Sequence, residues 1–161
     1  MTIDLLKNIA SNAPNGNLLG LDVGKKTIGL ALGSTDFGIA TPLHTIKRTK
    51  FTRDIEALKT VIAEYEIEGF IIGYPINMDG SEGPRAQSIR DFGFEMQNAL
   101  GASFFYALWD ERLSTVSADN TVDKLVEKRK TKINAKASGL IDKLAAQSIL
   151  QGALDFLRAA R

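Results

Sequence analysis

Short apolar runs separated by turn residues open the chain and predict a β-sheet. These runs cover residues 18–23, 27–32 and 39–46. The first two flank a small, basic stretch at residues 24–26, which is typical of a tight turn. We therefore predict three antiparallel strands joined as a meander.

Farther along the chain, helical and extended patterns alternate. Residues 53–65 carry apolar side chains at helical spacing after Thr52, a residue type that suits an N-cap. The continuous apolar run at 69–73 is typical of a strand buried on both faces. The remaining predicted elements are a helix over 84–100, a strand over 103–109, and helices over 114–130 and 140–160.

This order predicts an α/β fold in which helices flank a mixed sheet. Each strand–helix–strand return must be right-handed and bring its helix onto a face of the sheet. A meander followed by two such returns is the ribonuclease H-like arrangement with five strands, although element order leaves other α/β topologies open. We assign residues 18–161 to this domain. Residues 1–17, a short amphipathic piece followed by loop-forming residues, are predicted to be a loosely attached N-terminal extension.

Composition restricts the chemistry of any site. The chain has 161 residues, of which 44% are hydrophobic and 24% charged, as in an ordinary globular domain. Its sequence contains neither a membrane-length apolar run nor a signal peptide, so we expect a cytoplasmic location. Cysteine is absent and His44 is the only histidine, which excludes disulfides, iron–sulfur clusters and Cys/His zinc sites. Any metal ion must therefore bind to oxygen.

Asp22 interrupts a run that is apolar enough to be a central strand. A carboxylate at such a position costs several kcal/mol, roughly, unless it is paired or bound to a metal. Its side chain could equally support the turn at Gly24, as aspartates at strand ends often do. Asp22 alone leaves both interpretations open.

Three further acids lie next to the ends of predicted elements. Asp110 and Glu111 come directly after a predicted buried strand, at the edge where open α/β sheets bind ligands. Because side chains alternate along a strand, only one of the two can face the same side as Asp22. Asp142 lies near the predicted start of the last helix, where it could instead be a favourable charge for the helix dipole. Together these oxygen ligands suit Mg²⁺ or Mn²⁺, which can activate water against a phosphodiester.

Four segments in order resemble motifs of the YqgF/RuvX family, described as Holliday junction resolvases and as nucleases that process pre-16S ribosomal RNA. They cover residues 22–31, 73–86, 110–115 and 141–151, and the Gly-rich second segment is the most specific. The resemblance implies a ribonuclease H-like nuclease with Asp22, Glu111 and Asp142 as metal ligands and catalytic acids, and with Asp110 beside them. Thr27 departs from the family pattern, in which a basic pair is followed directly by the apolar strand.

The resemblance also implies where the second acid comes from. Relatives with the resolvase fold carry that acid at the end of the fourth strand, where this chain has Tyr74 and Pro75. The metal site must then use Asp110 or Glu111 from the neighbouring strand. We favour Glu111, because its extra methylene reaches farther, and expect Asp110 to cap the following helix or to orient Arg112.

Basic residues indicate where nucleic acid could bind. The densest basic stretch lies between Lys124 and Lys136, although most such runs are simply solvated helix faces. The Gly-rich loop before residue 84 could offer backbone N–H groups to a phosphate. The predicted nucleic-acid contacts are Lys25, Lys26, Ser81, Arg85, Arg112, Lys128, Arg129, Lys130 and Lys132.

The expected function is metal-dependent endonucleolytic cleavage of structured RNA or branched DNA, with the pre-ribosomal particle as a further partner and a monomer or homodimer as the active form. An ATPase of the actin and sugar-kinase type is a second reading of residues 22–24, but those enzymes close two domains of this kind over the nucleotide. A non-catalytic RNA-binding module of ribosome assembly is a third. Loss of one acid would mark that module, and all three acidic positions are filled here.

Overall fold

The computed structural model describes residues 3–113 and 135–160. Their strands form one mixed sheet in the order β1-β6-β5-β2-β3-β4. The strands are β1 (Asp4–Leu5), β2 (Asn17–Val23), β3 (Thr27–Ser34), β4 (Ala40–Lys47), β5 (Ile67–Tyr74) and β6 (Phe105–Asp110). The helices are α1 (Leu6–Ile9), α2 (Phe51–Tyr65), α3 (Pro84–Leu100) and α4 (Ala135–Ala160), with short 3-10 turns at Ala10–Asn12 and Glu111–Leu113.

The predicted meander is present. β2 pairs antiparallel with β3, and β3 pairs antiparallel with β4. The Gly24 N–H donates to the Thr27 carbonyl at 2.8 Å and closes the turn between β2 and β3. β5 then adds parallel to β2, and β6 parallel to β5. The carboxyl ends of β2, β5 and β6 consequently meet at one edge of the sheet.

The sheet has six strands rather than the predicted five, because residues near the N-terminus add β1 alongside β6. The prediction of a loosely attached segment was therefore wrong for this part of it. Ile3 and Leu6, on either side of β1, are 2% and 1% exposed. A strand of two residues is too short to produce a recognisable alternation in the sequence. The division of the chain after residue 17 remains a prediction.

Helix boundaries differ from the prediction at two places. Lys50, not Thr52, is the N-cap of α2, and no side chain caps it. α4 begins at Ala135 instead of residue 140. The predicted helix over 114–130 lies outside the described residues. Among the helices that are described, none is long and apolar enough to cross a membrane.

Two apolar clusters cover the two faces of the sheet. α2 and α3 pack on one face against side chains such as Leu21, Phe70 and Tyr106. α4 packs on the other face, against Leu18, Ile71 and their neighbours. Small residues on this second face allow α4 to lie very close to the central strands, which sets the position of the acidic residues described next.

Candidate active site

Asp22 lies at the carboxyl end of the central strand β2, paired across the sheet with Gly29 of β3. Its side chain is half-buried. Burial, and after it the negative charge of Asp142, raises the pKa of Asp22 from 3.8 to about 6, while the Arg85 guanidinium opposes this rise. The two carboxylates predicted from separate elements are therefore close enough to repel each other.

Asp142 lies about two turns inside α4 rather than at its start, because the helix begins at Ala135. The alternative interpretation, a favourable interaction with the helix dipole, does not apply, since that interaction fades after the first turn. Asp142 instead lies above the sheet, with its backbone against Gly29 of β3. A Cβ atom added to Gly29 would lie 2.1 Å from the Asp142 carbonyl oxygen. Only glycine at that position admits the helix backbone so near to Asp22.

Thr27 orients the Asp142 side chain. Its Oγ1 hydroxyl donates a hydrogen bond of 2.5 Å to Oδ2 of Asp142. The residue that departs from the family pattern in the sequence thus contacts the last acid of the site directly. Sequence reasoning did not identify this role, because a threonine at the first position of a strand is common on propensity alone.

Glu111 opens the 3-10 turn directly after β6. A Cβ atom added to Gly73 of β5 would lie 2.8 Å from the Glu111 Oε1 and 2.5 Å from Ile149 of α4. Glu111 therefore extends over β5 on the face of the sheet that α4 covers. β5 separates β6 from β2, so the absence of a side chain at Gly73 opens the direct route from Glu111 toward Asp22.

Asp110 points to a different partner. It is 6% exposed and accepts hydrogen bonds from the Arg112 guanidinium at 2.8–3.1 Å and from the Arg112 backbone N–H at 2.9 Å. Burial raises the pKa of Asp110, but the hydrogen bonds and charge of Arg112 outweigh it and hold the pKa below its usual value. The structure thus places Asp110 as the capping and orienting partner of Arg112, and Glu111 on the face of Asp142.

The end of β5, where the related resolvases carry an acid, is occupied here by an aromatic residue. Tyr74, the last residue of β5, is fully buried in the cluster on the α2 and α3 face. Its hydroxyl accepts a hydrogen bond of 3.3 Å from Arg90 Nε, and the guanidinium lies over the ring. Tyr74 therefore supports the loop that follows β5 and contributes no ligand to the opposite face.

The donor set fits a divalent cation in part. Asp22 and Asp142 offer oxygen ligands whose mutual repulsion a cation would relieve. Within residues 3–113 and 135–160, however, no three acidic or histidine side chains converge closely enough to hold a metal ion. Glu111 is the acid on the same face that could complete the set, and its side chain would have to move toward the other two.

Three of the predicted phosphate contacts lie at two places beside the candidate site, the turn after β2 and the start of α3. Lys25 and Lys26 are exposed in the turn after β2. Arg85, in the first turn of α3, is near enough to influence the ionisation of Asp22. The turn itself is held by Arg48, which sequence reasoning missed. Its guanidinium donates to the Gly24 carbonyl at 2.6 Å and its backbone N–H donates to the Lys26 carbonyl at 2.8 Å.

Ser81 is already engaged inside its own loop. Its backbone N–H and its hydroxyl both donate to Asp79 Oδ1, at 2.9 and 2.6 Å. A phosphate would have to compete with Asp79 for these donors. The basic stretch with Lys128, Arg129, Lys130 and Lys132 lies outside the described residues, so these contacts remain predictions.

One sequence signal could have revealed the close approach of α4. Gly29, Ala31 and Gly33 alternate along β3, so three small residues share the face that α4 covers. Such a run in a strand marks a site where another backbone comes near. The rule would have predicted a helix on this face, next to Asp22.

A family model described as RuvX, Holliday junction resolvase, matches residues 16–156. The chain belongs to the RuvX family. A RuvX relative from Rhodobacter capsulatus is 49% identical over 142 residues, which cover 88% of this chain and 85% of the relative. One from Roseobacter denitrificans is 44% identical over 145 residues, covering 90% and 86%. Both carry the provisional name of pre-16S rRNA nuclease.

Solved structures agree on the fold. Thermus thermophilus RuvC bound to a Holliday junction superposes with a TM-score of 0.54 at 12% identity, covering 89% of this chain and 95% of RuvC. The yeast mitochondrial resolvase Ydc2 gives 0.52 at 15% identity, covering 95% and 84%. These confirm the predicted ribonuclease H-like fold class. RuvX membership likewise confirms the family resemblance and the prediction of a hydrolase that acts as a nuclease.

Proposed function

We propose that this RuvX-family nuclease is a divalent-metal-dependent endonuclease that cleaves structured nucleic acid. The observation that carries the proposal is the juxtaposition of Asp22 and Asp142 across Gly29, where burial and then the charge of Asp142 raise the Asp22 pKa to about 6. Glu111 extends over Gly73 on the same face. Two repelling carboxylates at the carboxyl edge of a sheet, with a third acid nearby, favour a cation as the missing partner.

Asp22, Glu111 and Asp142 would hold the metal ion, Mg²⁺ or Mn²⁺. The ion supplies activation of a water molecule and neutralisation of the charge that develops on the phosphodiester oxygens. Thr27 fixes the Asp142 carboxylate through its hydroxyl. Arg85 supplies positive charge beside Asp22, and Lys25 supplies it at the adjoining turn, so both are suited to orient a phosphate.

Asp110 has a supporting role in this proposal. Its contacts with Arg112 keep the guanidinium at the carboxyl end of β6, where it can reach a phosphate of the same strand of nucleic acid. We therefore assign metal binding to Glu111 and positioning of Arg112 to Asp110.

The preferred substrate is the 5′ region of pre-16S rRNA, with branched DNA as the second. RNA is favoured because the relatives at 44–49% identity carry that substrate in their names. The RuvX model is described by Holliday junction resolution, which supports the DNA substrate. We also propose that the chain acts in the cytoplasm, on the pre-ribosomal particle.

A non-catalytic RNA-binding module is the second candidate. It is favoured by the finding that, in the part of the chain that the structure describes, no three acids converge on a metal position. A module of this kind would bind pre-16S rRNA with or without Mg²⁺ and would leave it uncut. Cleavage assays separate the two functions.

The test compares four variants on a labelled pre-16S rRNA 5′ fragment and on a synthetic four-way junction. Asp22→Asn, Asp142→Asn and Glu111→Gln should abolish Mg²⁺-dependent cleavage and keep substrate binding, because these carboxylates serve the metal. Asp110→Asn should retain part of the activity, since only Arg112 loses its partner. A dead Asp110→Asn beside an active Glu111→Gln would reverse the assignment. Binding without cleavage by the unmodified protein would favour the RNA-binding module.

A further inference from the structure

Met78 is an exposed apolar side chain next to the candidate active site. It is 89% exposed, more than any other large hydrophobic residue in the described part of the chain. It lies in the loop between β5 and α3, which begins at the carboxyl edge of the sheet where Asp22 lies. An exposed thioether contributes little apolar burial to the fold, and this one is available to a molecule bound at the candidate active site.

The exposure of Met78 is fixed by a closed loop. Ile76 forms an isolated β-bridge with Glu82, and the Asn77 N–H donates to the Ser81 carbonyl at 3.0 Å. The Gly80 N–H donates to the Asn77 carbonyl at 2.8 Å, closing a four-residue turn around Met78. Gly80 has a φ of +89°, which a residue with a side chain rarely adopts. This turn holds Met78 at its tip in a defined position.

Two cationic side chains lie beside this loop or directly after it. A Cβ atom added to Gly80 would lie 3.7 Å from the Arg112 guanidinium, whose charge also acts on Asp79. Arg85 follows the loop in the first turn of α3 and acts on Asp22. An apolar loop tip with guanidinium groups beside the same loop and at its end matches the chemistry of a nucleotide, because phosphates bind cations and the face of a base makes apolar contacts.

We propose that Met78 packs against an unstacked base of the nucleic-acid substrate and so selects sites where base stacking is interrupted. This inference rests on the proposed function and adds to it a residue that determines substrate choice. Met side chains are known to wedge between base steps, and the cost of unstacking is least where the base is already unpaired. RNA and DNA offer the same base faces, so both are tested.

The binding experiment uses Asp22→Asn protein in Mg²⁺, which prevents cleavage. Its ligands are a perfect duplex and the same duplex with one bulged 2-aminopurine, each as RNA and as DNA. Met78→Ala in this background should bind the bulged duplex about tenfold more weakly and bind the perfect duplex unchanged, because one base contact is lost. The 2-aminopurine fluorescence change on binding should disappear with Met78→Ala and persist with Met78→Leu, which keeps an apolar side chain.

Phe37→Ala is the matched control. Phe37 is also apolar and 77% exposed, but it lies in the loop between β3 and β4, at the opposite end of the sheet from Asp22. This variant should bind both duplexes like the parent protein.

Equal binding of the bulged duplex by Met78→Ala and its parent would overturn the inference and leave the nuclease proposal intact. A uniform loss on both duplexes would overturn it too, because it would show a contact that does not depend on an unstacked base. If the parent protein binds neither duplex and the wild-type chain cuts neither the pre-16S rRNA fragment nor the four-way junction, the proposed function fails and the inference fails with it.

Discussion

Gly29→Ala is the sharpest perturbation of the site, because it adds one methyl group where α4 meets β3. The new Cβ would lie 2.1 Å from the Asp142 carbonyl oxygen and 2.4 Å from its carbonyl carbon. Both are backbone atoms, which cannot rotate away as a side chain could. An ordinary contact needs about 3.5 Å, so α4 must retreat by roughly 1 Å at this point.

Two effects of different size should follow. Overpacking of this kind costs about 1–3 kcal/mol, which lowers the melting temperature of a chain of this length by roughly 2–12 °C. A displacement of roughly 1 Å in Asp142 costs about a hundredfold in cleavage rate, because the acid no longer meets Asp22 at the required distance. The variant should therefore remain folded at 25 °C and lose almost all activity.

Gly33→Ala separates the two effects. Gly33 lies on the same strand and under the same helix, and its added Cβ would contact Leu154 Cδ1 at 2.8 Å and Leu150 Cδ2 at 3.1 Å. We expect a smaller destabilisation by thermal denaturation, because these contacts are longer and the leucine ends can move, together with near-normal cleavage of the pre-16S rRNA fragment. If Gly29→Ala cuts as fast as Gly33→Ala at equal folded fraction, the close approach of Asp142 does not control the chemistry.

Two further predictions concern ionisation and orientation in the same acidic pair. The pKa of Asp22 in the folded protein, about 6, exceeds its ordinary 3.8, so the stability it contributes is complete below about pH 4 and is lost as pH rises through 6. Asp22→Asn should thus raise the unfolding free energy of the cation-free protein at about pH 8 by up to about 3 kcal/mol. It should leave that free energy unchanged at about pH 4. Denaturation in the presence of a chelator at both pH values checks this. Thr27→Val should lower kcat about tenfold at nearly constant KM by removing the hydroxyl that orients Asp142, whereas Thr27→Ser should retain activity.

The parts of the fold that sequence predicted well are those with long apolar runs. β2, β3 and β5 have strong hydrophobic patterns that tertiary contacts reinforce. The start of α4 was missed because Gly139 resembles a helix stop. In the fold Gly139 lies within α4, and Thr45 Oγ1 of β4 donates to its carbonyl at 2.7 Å. A helix boundary that depends on contact with another element cannot be predicted from the local sequence pattern.

The acids of the site could be identified from the sequence, but their arrangement in space could not. The position of Asp22 in an apolar run identifies it as unusual, and its pairing with Gly29 depends on strand register. The choice between Asp110 and Glu111 could be argued only from side-chain length. The structure bears on it through Gly73, which leaves space for Glu111, and through Arg112, which engages Asp110.

The small strand β1 has a consequence for how the molecule assembles. Its residues pair with β6 across a separation of about a hundred positions, Asp4 with Ala107 and Leu5 with Leu108. During synthesis on the ribosome, β1 is made before the other strands of the sheet and must wait for the last of them before it finds its partner. Until it does, β6 exposes a free row of backbone donors and acceptors to neighbouring chains. The strand that carries Asp110 is thus a temporary sheet edge in the nascent chain, open to pairing with other chains until β1 covers it.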